Sequence, residues 1–147
     1  MLGVLDGAGA PADPDPVNRM TSKVQAVVAL YAGLDLARIK TARGVEALTL
    51  FLGPLHNKRY AEASPITYVT SDDAPFLLFH GDMDDTVPFE QSQVMQAALK
   101  KAGVRVEFVP VPGGRHGRNF GFEPDDKRLP DYIGKGVDWF DTHLHAR

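Results

Sequence analysis

Three carboxylates and one histidine stand out by type and placing. The stretch "FLLFHGDMDDTVP" (76–88) runs from an apolar segment straight into Asp82, Asp84 and Asp85, and "PGGRHG" (112–117) sets His116 in a glycine-rich turn after another apolar segment. An aspartate that fixes a histidine in one tautomer, and stabilises it once protonated, is the back half of a Ser-His-Asp triad. That chemistry requires the two stretches to lie side by side. Residues 82–86, "DMDDT", also fit a second pattern, D-x-D-x-T, in which His116 has no part. Asp82 and Asp85 otherwise read as turn and cap residues, His80 as packing or hydrogen-bonded support, and His56, His143 and His145 as surface positions.

The elements around these residues decide whether they can meet. "VQAVVALYA" (24–32) is a continuous β-branched and apolar run, the pattern of a strand covered on both faces in a parallel sheet. "PFLLFHG" (75–81) reads as a second strand opened by proline, and "VRVEFVPV" (104–111) as a third. Between them a helix is expected over 88–102, with Pro88 in its first turn, Glu90 at the positive end of its dipole, Lys100 and Lys101 at the negative end, and Gly103 as the stop. Met95, Ala98, Leu99 and Ala102 share one face of it. Strand, helix and strand in that order make a βαβ unit with parallel strands and a right-handed crossover. Ile133, Val137, Phe140 and Leu144 give a last amphipathic helix. "GVEALTLFLG" (44–53) is ambiguous, and "GAGAPADPDPVN" (7–18) is a loop that sets "MLGVL" apart from the rest. In open parallel sheets catalytic groups gather beyond the carboxyl ends of the strands, where the loops bearing Asp84 and His116 both begin.

Composition narrows the classes. The chain has 147 residues, 44% hydrophobic and 24% charged, which suits one globular unit. A net charge of −3 with scattered basic residues argues against a nucleic-acid or anionic-membrane partner. With no cysteine there is neither a disulfide framework nor a thiolate metal site. No apolar run approaches the roughly 20 residues of a membrane span, and no targeting segment is visible, so compartment stays open.

Taken together, "ASPITYVTSDDAPFLLFHGDMDDTVPFEQSQVMQAALKKAGVRVEFVPVPGGRHG" (63–117) resembles the α/β-hydrolase superfamily, in its esterase/lipase and prolyl-oligopeptidase-like branch that includes feruloyl and acetylxylan esterases. The resemblance runs over about 17–145 and is weakest at 35–62, an irregular, lid-like excursion within one domain spanning 1–147. It implies an α/β fold of about three parallel strands with flanking helices, the C-terminal portion of an α/β-hydrolase. The pattern H-G-x-x-D-x-x-V-P places the catalytic acid at Asp84, and the glycine-rich turn after the last strand places the catalytic histidine at His116. Hydrolysis of small acyl esters, with no cofactor and no metal, is the implied activity. The D-x-D-x-T stretch resembles haloacid-dehalogenase-like phosphatases, which implies Asp82 as a nucleophile and Mg²⁺, a hard cation suited to oxygen ligands, held by Asp82 and Asp84; a non-catalytic flavodoxin-like interaction module is a further alternative.

One departure is large. The nucleophile of these hydrolases sits in G-x-S-x-G on a strand-to-helix turn. The serines here are Ser22, Ser64, Ser71 and Ser92, and none has glycine two residues away on either side. The chain therefore resembles the portion that begins just after the nucleophile turn. With upstream strands missing, 24–32 would offer an unpaired apolar edge, inviting self-association or docking of a complementary N-terminal half.

Overall fold

The computed structural model describes residues 3–5, 7–54 and 57–144. His56 and His145, and the first two residues of "MLGVL", lie outside them. The fold is α/β: three parallel strands, β1 (Val27–Leu30), β2 (Phe76–Gly81) and β3 (Val106–Val111), lie in the order β1-β2-β3. The first strand is shorter than its apolar run suggests. Its register pairs Val27 with Phe76 and Leu30 with Phe79, while Phe76 faces Val106 and Gly81 faces Val111.

Every residue of β2 is buried, and its side chains alternate between two cores. Phe76 and Leu78 face a layer with Met95, Leu99 and Val104, completed by Leu34 and by Val4. The stretch expected to stand apart thus puts Val4 into this core. Leu77 and Phe79 face the opposite layer, with Ala26, Val111, Phe120 and Trp139.

Among the described residues the α-helices are α1 (Ala42–Leu52), α2 (Asn57–Glu62), α3 (Glu90–Ala102) and α4 (Tyr132–Leu144), of which α3 and α4 pack on the sheet. The ambiguous 44–53 segment is α1, started by Thr41, whose side chain accepts from Gly44 N. Helix α3 buries Gln91, Ser92, Met95 and Leu99, and Gly103 closes it at φ 81° in the left-handed region. Helix α4 differs from its expected packing. Gly136 and Trp139 are its buried residues, whereas Ile133 and Val137 are 67% and 53% exposed, and Phe140 and Leu144 also face outward. The face turned to the sheet is the one that carries Trp139, packed with Leu77 and Phe79, and Gly136, which rests against Val28 at ordinary van der Waals distance. The apolar stripe is left outside.

Candidate active site

The acid turn and the histidine turn are stitched together at the carboxyl edge of the sheet. Asp82 N donates to Val111 O at 3.2 Å, Met83 N to Gly114 O at 2.9 Å, and Gly113 N to Asp82 Oδ1 at 2.7 Å. Glycine is needed where they touch: a Cβ at Gly81 would overlap the carbonyl of Gly114. Asp82 thereby acts as a strut between loops.

Asp84 and His116 meet as a result. The carboxylate of Asp84 is buried, and its Oδ2 accepts from His116 Nδ1 at 2.8 Å. Its Oδ1 accepts from Thr86 N at 2.9 Å and Val87 N at 2.8 Å, which curls the turn around the acid. With Nδ1–H given to Asp84, neutral His116 carries its lone pair on Nε2, the form of a general base. The His116 side chain is 32% exposed, so solvent reaches the ring.

Rings pack around that imidazole. Tyr31, just past β1, lies edge-on to it at 4.9 Å between centroids, and Phe120 backs Tyr31 at 5.6 Å. Among the described residues, three non-glycine ones have φ in the left-handed region, Tyr31 (41°), Asn119 (52°) and Phe120 (55°), and all belong to this neighbourhood. Such strain, of order 1–3 kcal/mol each, persists only where surrounding structure enforces it, and it clusters at functional sites. Here the constraints are Tyr31 N donating to Phe79 O, Arg115 N donating to Phe120 O, and Tyr132 Oη donating to Asn119 Oδ1.

The acid turn has further supports. Thr41 Oγ1 donates to Thr86 O, and Arg43 pairs with Asp85 at 3.1 Å, an exposed contact, so Asp85 tethers α1 instead of capping a helix. A Cβ at Gly44 would meet the Thr86 carbonyl, which holds α1 directly on the turn. Gln91 Oε1 accepts from Leu34 N and Asp35 N at 2.9 and 2.7 Å, anchoring the segment after β1 to α3. His80 is fully buried, and burial holds its pKa below the usual histidine range despite the Val87 carbonyl and the Asp84 charge.

The D-x-D-x-T chemistry draws no support from these positions. It needs both carboxylates on one cation, but Asp82 accepts from Gly113 N while Asp84 accepts from His116, Thr86 and Val87. His143 is half-buried, stacked on Trp139 at 4.3 Å, and so is no plain surface histidine. Sequence reading missed Tyr31, Thr41 and Arg43. Only the position of Tyr31 at a strand's carboxyl end pointed to the site.

Comparison with known proteins follows the same lines. The BD-FAE family profile matches residues 10–99, more than half of the chain. The chain belongs to the BD-FAE family. Among curated relatives, a non-reducing polyketide synthase of Acremonium egyptiacum is 36% identical over 115 residues, covering 72% of this chain and 5% of that protein. Esterase LipQ of Mycobacterium tuberculosis is 34% identical over 102 residues, covering 63% of this chain and 24% of that protein. Among solved structures, an acetyl ester-xyloside bifunctional hydrolase from Caldicellulosiruptor lactoaceticus superposes with a TM-score of 0.83 at 27% identity, over 96% of this chain and 50% of the other. An esterase from Thermogutta terrifontis, determined with propionate bound, gives 0.65 at 28% identity, over 90% and 47%. This BD-FAE chain therefore spans a small part of those curated relatives and about half of those solved ones, and its fold is that of α/β-hydrolase esterases.

Proposed function

We propose that this BD-FAE chain supplies the acid and the histidine of a Ser-His-Asp triad for carboxylic ester hydrolysis, Asp84 and His116, while the nucleophilic serine comes from a segment outside this sequence. The 2.8 Å contact between Asp84 Oδ2 and His116 Nδ1 at the carboxyl edge of a parallel sheet carries the reading. In the reaction, serine Oγ attacks the ester carbonyl as His116 Nε2 takes its proton. His116 returns that proton to the leaving alcohol, and water then repeats the sequence on the acyl-enzyme. Asp84 keeps Nδ1–H directed inward throughout and stabilises the imidazolium.

Small acyl esters are the proposed substrates, with acetyl or feruloyl groups on plant polysaccharide as the foremost class. The acetyl ester-xyloside hydrolase and the propionate-bound esterase among its structural relatives support this choice. For the serine-bearing partner, the proposed seat is the outer edge of β1, which among the described residues pairs with β2 alone. A second copy of the chain is the competing occupant.

A fluorophosphonate probe tests the proposal. The 147-residue chain alone should not be labelled. Mixed with the serine-bearing half of a BD-FAE relative, it should restore labelling and p-nitrophenyl acetate turnover, and Asp84→Asn or His116→Ala should abolish most of both. Labelling of the lone chain, or full turnover with His116→Ala, would refute it. Light scattering at tens of micromolar separates self-association from a monomer awaiting its partner.

A further inference from the structure

His80 sits at the carboxyl end of β2, and both nitrogens of its ring are engaged. Nε2 lies 2.9 Å from the Val87 carbonyl oxygen, and Nδ1 lies 2.8 Å from Ser92 Oγ on α3. A carbonyl only accepts, so the ring proton is on Nε2, and Nδ1 accepts from the Ser92 hydroxyl. The same Nε2–H faces Asp84 Oδ2 at 3.3 Å. Val87 is consequently held on both sides: its N–H donates to Asp84 Oδ1 at 2.8 Å, and its C=O accepts from His80. Phe89 closes over the imidazole edge-on at 5.9 Å.

We propose that His80, held in its tautomer by the Val87 carbonyl and oriented by Ser92, is a positioning residue for the Asp84–His116 pair, fixing the Val87 peptide and presenting an N–H dipole to Asp84 Oδ2. This rests on the triad reading given above. Two features separate the role from plain core filling. An apolar side chain of similar size would fill the space but deprive the half-buried Val87 carbonyl of its donor. In addition, a neutral donor aimed at Asp84 Oδ2 helps hold the carboxylate towards His116 without placing a positive charge beside it. Helix α3 is thereby coupled to the histidine turn through one chain of contacts, Ser92 to His80 to Asp84 to His116.

The test is the Nδ1–H resonance of His116, followed by NMR in the 147-residue chain. Asp84→Asn should move that resonance upfield and speed its exchange with water, because the charge-assisted hydrogen bond to the carboxylate is lost. His80→Leu should change it in the same sense by less, as the carboxylate loses its fixed aim. His80→Gln, whose amide N–H can take the place of Nε2–H, should restore most of the resonance position and protection. Ser92→Ala, which deletes the hydroxyl that orients the ring, should give a smaller change in the same sense and carries the test if His80→Leu does not fold. A change with Asp84→Asn but none with His80→Leu or Ser92→Ala overturns the positioning role and leaves the pair intact. No change with Asp84→Asn defeats the pair itself, and the positioning role with it.

Discussion

Gly81 and Gly114 touch backbone to backbone, and this contact is what brings Asp84 within 2.8 Å of His116 across 32 positions of sequence. Replacing Gly81 with alanine puts a methyl group against a carbonyl that no rotamer change can move. Overpacking of that kind destabilises by about 1–3 kcal/mol. Urea unfolding of Gly81→Ala should show a loss of that size, and the Nδ1–H resonance of His116 should broaden as the two turns separate.

Tyr31 allows strain to be separated from ring packing. Tyr31→Ala removes the ring yet keeps a side chain at φ 41°, whereas Tyr31→Gly removes both. A left-handed backbone is unfavourable by roughly 1–2 kcal/mol for a non-glycine residue, and glycine's greater freedom when unfolded gives back part of that difference. Tyr31→Gly should therefore be more stable than Tyr31→Ala, by about 1 kcal/mol in denaturant midpoint analysis. The reverse order would show that the backbone at residue 31 relaxes once the ring is gone.

His80 gives the fold an acid-side limit. Its folded pKa lies below its ordinary value of 6.5, with burial the largest cause, and the titratable groups facing it are Asp84 and His116. Unfolded histidine takes a proton just below about pH 6.5, while buried His80 takes one only at lower pH, so unfolding binds a proton in that interval and stability falls as pH falls. This contribution is complete above the unfolded pKa. Urea midpoints at about pH 7.5 and 5.5 should therefore drop on acidification, and His80→Gln should reduce the drop. An unchanged drop in that variant would assign the acid sensitivity elsewhere.

Helix α4 yields two opposite outcomes. Val137→Lys alters an exposed position and should change the stability of the chain by no more than about 0.5 kcal/mol. Trp139→Ala empties a place in the core with Leu77 and Phe79 and should destabilise by about 3–5 kcal/mol. Differential unfolding of the two variants checks which face is packed.

The sequence is most legible where local signals agree with the tertiary environment. Apolar β2 and alternating β3, the charge pattern of α3 and Gly103 at its end all mark elements close to where they stand, and strand polarity puts Asp84 and His116 on one edge. Periodicity fails at α4 because it identifies an apolar face without identifying what covers it. The core place taken by Trp139 beside Leu77 and Phe79, a residue outside that periodic stripe, sets the orientation instead. Helix α1 is ambiguous in sequence because its start depends on Thr41, outside the apolar window, and on a fit of Gly44 against the Thr86 carbonyl that only long-range folding creates. The place of Tyr31 at a strand's carboxyl end puts it on the catalytic edge, but its ring contact with His116 depends on long-range folding that no local signal encodes.

The two-sided burial of β2 has a consequence for how the chain avoids misfolding. Sliding β2 by one residue would exchange Phe76 and Leu78 with Leu77 and Phe79 between the two layers, and since all four are large and apolar, greasiness alone discriminates poorly against the slipped form. What rejects it is shape: the slip would bring His80 or Asp82, each bearing a side chain, to the spot where only hydrogen fits beside Gly114. The smallest residue of the strand thus serves as its alignment pin.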